Sequence, residues 1–125
     1  MKIINTEKAP KAIGPYSQAI KACNLIFVSG QVPINPLTGK IESKDIKEQT
    51  KQCLENLKAI IEEAGSKLEK VIKCTIYVTD LKNFAAVNEI YGSYFSVHKP
   101  ARVCVEVSKL PLEASIEIDA IAKKC

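Results

Sequence analysis

The sequence predicts an α+β domain in which two helices lie on one face of a mixed six-stranded sheet. Three observations predict it. Residues 45–64 and 84–95 place apolar side chains at helical spacing. Six further segments, at 3–4, 16–22, 25–28, 71–78, 103–107 and 116–121, read as strands from their β-branched, apolar or alternating character. Their order along the chain is β-β-β-α-β-α-β-β, with no internal repeat and no low-complexity stretch.

The first strand is short, Ile3-Ile4, and a small, polar stretch follows it to the Gly14-Pro15 turn. Tyr16–Ala22 and Leu25–Val28 read as a hairpin joined tightly at Asn24. The second of these is a nearly continuous apolar run, which suits a strand buried on both faces. Ser29-Gly30-Gln31 ends that strand. The small hydroxyl and the glycine form either a plain turn or a place where backbone approaches a ligand closely. Residues 33–43 read as loop, with Asn35-Pro36 and Thr38-Gly39 as turn signals.

The helix over Asp45–Ala64 has the strongest local signals. Asp45 and Glu48 form a capping-box variant, and Gly65 closes the C-terminus. Ile46, Thr50, Cys53, Leu54, Leu57, Ile60, Ile61 and Ala64 make one stripe. Val71–Val78 alternates as a strand, and the helix before it permits a right-handed parallel crossover from strand 25–28. Phe84–Phe95 turns Phe84, Val87, Ile90, Tyr91, Tyr94 and Phe95 toward a core; Asn88 beside that stripe is either surface or site. The last two strands, joined by the short proline-bearing segment 109–114, read as a hairpin.

At 125 residues the chain predicts one domain over 1–125. The apolar fraction of 46% and charged fraction of 26% are those of a soluble globular protein. No apolar run approaches the ~20 residues of a membrane helix, and the N-terminus lacks a leader-like apolar core, so a cytoplasmic location is the expectation. The net charge of +4 comes from scattered lysines and not from a basic block, which argues against a nucleic-acid partner. Five cysteines without a Cys-x-x-Cys imply reduced thiols. With one histidine, His98, and no cysteine pair at ligand spacing, no metal is expected.

Chemistry concentrates near the end of the chain. Arg102 is the single arginine among 18 basic residues. A guanidinium is a planar fork that grips a carboxylate through two parallel hydrogen bonds, which lysine cannot do. By strand period, Arg102, Cys104 and Glu106 share one face of their strand, and Ser115, Glu117, Asp119 and Ile121 one face of the next. If the two strands are adjacent, Arg102 and Glu117 read equally as a structural ion pair or as an anion site. Burial in an apolar strand would raise the pKa of Glu117 and Arg102 would lower it. Cys104 is either a wall residue or a nucleophile, although no histidine is placed to activate it. Two helices cover only one sheet face, and the strands are apolar on both; the uncovered face predicts an oligomer whose sheets pack together, with threefold closure.

These stretches resemble the RidA (YjgF-type) family of enamine/imine deaminases over almost the whole chain. The matching motifs are Ile13-Gly-Pro-Tyr-Ser-Gln-Ala19, Val28-Ser-Gly-Gln-Val-Pro33, Gln52–Ile60, Tyr77-Val-Thr-Asp-Leu81, Phe84–Asn88 and, most specific, Pro100-Ala-Arg-Val-Cys-Val-Glu-Val107 with Ile116-Glu-Ile118. The resemblance implies a chorismate-mutase-like fold, a homotrimer with sheets facing inward, and a site at each subunit interface. It implies hydrolysis of 2-imino acids and their enamino tautomers, among them 2-aminoacrylate, to 2-keto acids and ammonia without cofactor or metal. By motif, Arg102 holds the substrate carboxylate and Glu117 activates water, while Tyr16, Ser29, Gly30, Asn88 and Cys104 line the pocket. The segment 96–99 is shorter than in many relatives, which bears on the pocket rim. A carboxylate-sensing regulator and an endoribonuclease are the competing readings; a single histidine, a single arginine and the absence of a basic patch weigh against the second.

Overall fold

The computed structural model describes residues 1–125. Six strands, β1 (Lys2–Ile4), β2 (Ala19–Ala22), β3 (Leu25–Gln31), β6 (Val71–Val78), β7 (Ala101–Glu106) and β8 (Ile116–Lys123), form one mixed sheet in the order β1-β2-β3-β8-β6-β7. Two helices, α1 (Ile46–Glu63) and α2 (Phe84–Tyr94), pack against one face. A separate ribbon, β4 (Ile34–Asn35) with β5 (Lys40–Ile41), occupies part of the expected 33–43 loop. The α+β architecture expected from the sequence is present.

Helix α1 begins and ends where its local chemistry dictates. The Asp45 side chain accepts from the Glu48 amide at 3.0 Å, relieving one of the unpaired N–H groups of the first turn. At the other end Gly65 adopts φ +83°, and the amides of Gly65 and Ser66 return to the carbonyls of Glu62 and Ile61, each at 3.0 Å. This is a Schellman closure, which a residue with a Cβ would strain. The expected stripe is buried: Cys53, Leu54, Leu57, Ile60 and Ile61 lie against Ile26, Ile76, Ile116 and Ile118 of the sheet in one core.

The β2–β3 hairpin turns through Cys23 and Asn24, both with positive φ (51° and 63°), the conformation of a two-residue type I′ turn. Strand β2 is shorter than expected, because residues 16–18 run in as irregular chain. Strand β3 is longer. It continues through Ser29 and Gly30 to Gln31, with a register shift against β8 between Val28 and Gln31. Ser29-Gly30 is thus a bulge in a strand and not a strand end. Nor is β3 buried on both faces, since Phe27 remains 44% exposed.

The terminal hairpin expected from the sequence does not form. Strand β7 pairs with β6 in parallel, with Cys74 opposite Arg102 and Ile76 opposite Cys104. Strand β8 pairs antiparallel with the other side of β6 and with β3. The reason is the β6-α2-β7 crossover. A helix between two adjacent strands makes them parallel and carries the second outward, so β7 becomes the sheet edge. The chain then crosses the end of β6, where Val107 donates to the Val78 carbonyl and Thr79 to the Ser115 carbonyl, and β8 fills the gap between β6 and β3. Strands β3 and β6 are parallel, as expected, with β8 between them.

Candidate active site

The sequence-predicted residues fall into two clusters on opposite faces of the sheet. Arg102 extends from β7 on the helix side. Its Nη1 donates to Asn88 Oδ1 of α2 at 2.7 Å. The guanidinium carbon lies 5.0 Å from the ring centroid of Tyr91 and 5.5 Å from that of Phe84, within cation–π range. Phe84, Asn88 and Tyr91 are spaced i, i+4, i+7, so one face of α2 builds the whole cradle. Asn88 is therefore the hydrogen-bond partner of Arg102 and not ordinary surface. Arg102 is half-buried and makes no ion pair; the single salt bridge in the chain is Lys47–Glu89. Burial of a guanidinium is costly unless an anion accompanies it, so this cluster presents an anchor without its counter-charge.

Cys104 lies two residues along on the same side, half-buried. Burial pushes its thiol up, partly opposed by Arg102, so the thiolate is not favoured. Beneath the cluster the Tyr91 hydroxyl is buried without a hydrogen-bond partner, beside the Cys74 thiol, which burial raises to about 11.

The second cluster lies across the sheet. Glu117 and Asp119 of β8 face away from the helices, opposite Tyr77 and Thr75 of β6. Glu117 extends over Gly30 so closely that a Cβ there would overlap its carboxylate. The β3 bulge leaves the room that Glu117 occupies. Ser29 Oγ donates to the Ser17 carbonyl at 2.6 Å, and the Ser29 amide to the Gln18 carbonyl at 2.9 Å, which draws residues 16–18 alongside. Gln18 is itself fixed by bonds to Thr6 and Pro10, and Tyr16 at the head of this segment is 54% exposed. Burial, reinforced by the like charge of Asp119, holds the Glu117 carboxyl above the usual glutamate range. Arg102 of the same chain takes no part in that shift.

Arg102 and Glu117 therefore form neither an ion pair nor a site within one chain. Strand β6 separates β7 from β8, and the two side chains leave opposite faces. Three contributors lay outside the sequence reading of the site. The sequence turns Phe84 and Tyr91 toward the core, where Tyr91 does lie while Phe84 is exposed; their spacing from Asn88 is the signal that joins both to it. Asp119 was placed on the face of Glu117 without a role; its carboxylate accepts from Tyr77 Oη at 3.1 Å and from the Thr75 amide at 3.2 Å.

Fold and site define a class: a small α+β protein that presents an arginine anchor on one face of its sheet and a raised carboxyl on the other. The family model described as endoribonuclease L-PSP matches residues 6–124. A RutC family protein of Pyrococcus abyssi is 61% identical over 123 residues, covering 98% of this chain and 97% of that one. The Escherichia coli K12 protein named 2-iminobutanoate/2-iminopropanoate deaminase is 49% identical over 124 residues, covering 97% and 96%. The crystal structure of E. coli TdcF with bound serine superposes with a TM-score of 0.95 at 44% identity, covering 100% of both chains. The chain belongs to this RutC/YjgF/RidA family.

Proposed function

We propose that the protein is a 2-iminobutanoate/2-iminopropanoate deaminase, hydrolysing reactive imino and enamino acids to 2-keto acids and ammonia. The observation that carries this reading is the unpaired, half-buried Arg102, oriented by Asn88 between two aromatic rings. A planar imino acid has the carboxylate handle such a fork takes. The name of the E. coli relative supports the choice of substrate.

In this reading the two clusters meet between subunits of a homotrimer, the anchor from one chain and Tyr16, Ser29, Gly30 and Glu117 from the next. Arg102 clamps the carboxylate through the N–H groups that Asn88 leaves free. Glu117, as carboxylate, takes a proton from water while the oxygen attacks C2 of the protonated imine. The resulting carbinolamine expels its nitrogen, which receives protons from Glu117 and from the hydroxyl, leaving a keto acid and ammonium. An enamino tautomer is protonated at C3 first. Positioning and general-base catalysis suffice because the iminium carbon is already electrophilic; base catalysis typically contributes ~10²–10⁴-fold. No metal or cofactor enters these steps. The five free cysteines suit a reducing cytoplasm, and no helix of the chain is long and apolar enough to cross a membrane.

The test is a coupled assay. A serine or threonine dehydratase generates the imine, semicarbazide competes for it, and keto-acid release is followed. The wild type should accelerate release, and Arg102→Ala should lower kcat/KM by about 10²-fold or more with the fold intact. Equal behaviour of the two proteins would overturn the reading. The family description favours RNA cleavage as a second reading, but His98, the one histidine, donates its Nε2–H to the Val71 carbonyl. Cutting of RNA by pure protein, abolished in Glu117→Ala, would establish it.

A further inference from the structure

Beside Arg102 lies an open cavity of about 310 Å³. Its lining includes Asn88, Tyr91, Phe95, Lys99 and Arg102, and its size is at the small end of metabolite sites. The floor is aromatic, with the Tyr91 and Phe95 rings 4.7 Å apart. Gly92 keeps one wall low: a Cβ there would meet nothing within 4 Å. No carboxylate lines the cavity, yet two cations do.

A carboxylate anchor needs one cation. Lys99 is exposed and engages no acid, since the chain's one salt bridge lies elsewhere. Its place is not left to a floppy loop. The residue before a proline is confined to extended backbone, and Pro100 leads directly into β7, a rigid strand. Lys99 and Arg102 are three residues apart, at most ~10 Å along the chain, and a lysine stem is long and adaptable. Two like charges facing one cavity repel each other unless an anion lies between or across them.

We propose that Lys99 is a specificity-determining residue that recognises a second carboxylate, so that this site favours 2-imino acids with an acidic side chain. The inference rests on the deaminase reading for the reaction but not for the binding. The 1-carboxylate sits on Arg102, the imine carbon faces the incoming Glu117, and the side chain runs over Tyr91 and Phe95 toward the Lys99 ammonium. The same geometry holds the product, a keto dicarboxylate.

Two measurements test it. In the first, an amino-acid oxidase generates 2-iminoglutarate from glutamate or 2-iminopropanoate from alanine, and hydrolysis is read against semicarbazide. In the second, 2-oxoglutarate and pyruvate are titrated calorimetrically. The wild type should prefer the dicarboxylate in both. Lys99→Met should lower the dicarboxylate-to-monocarboxylate ratio about tenfold, the scale of one charge-assisted hydrogen bond in a partly solvated site, and Lys99→Arg should keep it. A ratio within twofold of wild type in Lys99→Met overturns the proposal, whether or not imines turn over. If the calorimetric ratio shifts as expected while neither imine is hydrolysed, the deaminase reading falls and the dicarboxylate site stands.

Discussion

Glu117 is held above the ordinary carboxylate range by burial and then by Asp119, and both effects have measurable signs. A base is lost on protonation, so the acid limb of kcat/KM should lie above the ~4.3 of a free glutamate. Asp119→Asn removes the like charge and should move that limb toward lower pH; an unmoved limb would separate Asp119 from the tuning of the base. The stability effect runs oppositely to that of a salt-bridged acid. Between the unfolded and the raised folded pKa the native state binds more protons, so the contribution of Glu117 is favourable at low pH and is lost as pH rises through the folded value. Glu117→Gln should therefore melt higher than wild type at pH 7, with the difference shrinking on acidification. Gly30 gives a second residue-scale test. A Cβ there displaces the end of a flexible side chain rather than backbone. Gly30→Ala should thus fold and melt within a few degrees of wild type yet lose at least about tenfold in kcat/KM, because small displacements of a catalytic group are costly.

At the scale of elements, α1 is the part most nearly written in local sequence. Its start depends on one aspartate, and Asp45→Ala should cost about 1 kcal/mol, read as a drop of about 4 °C in Tm with imine hydrolysis unchanged. Asp45, Glu48 and Gly65 act within one turn of themselves, which is why the boundaries of α1 could be read without a structure. The placement of β7 and β8 could not. A six-residue connection with a proline carries every local mark of a hairpin loop. Nothing in residues 101–123 reports that β6 separates the two strands, because that follows from the helical crossover between β6 and β7. The bulge at Ser29-Gly30 was hidden for a similar reason: a small residue and a glycine look alike at a strand end and inside a bulge, and only the register with β8 distinguishes them. The motifs name the residues proposed for the site. The faces on which they lie were legible only within each strand, so the separation of Arg102 from Glu117 was not.

For the whole molecule, the proposed trimer accounts for both that separation and the uncovered sheet face. By register, Ile3, Phe27, Ile121, Val103 and Val105 share the face away from the helices, and Phe27, Val103 and Val105 are 44%, 43% and 38% exposed. An apolar patch of this kind is rarely left to water. In the proposed trimer, sedimentation should give a mass of about 41 kDa, three times 13.7 kDa. Val105→Asp, on the edge strand and outside the core, should yield folded monomers. It should also abolish imine hydrolysis with Arg102 and Glu117 both in place, because neither cluster is complete alone. The sharper test mixes two inactive proteins. Arg102→Ala retains Glu117, and Glu117→Ala retains Arg102. Unfolded, combined in equal amounts and refolded together, they assort at random. An interface then pairs an intact anchor with an intact base about one time in four, so about a quarter of wild-type activity should return. A site confined to one chain would return none, since every chain in the mixture lacks one of the two groups.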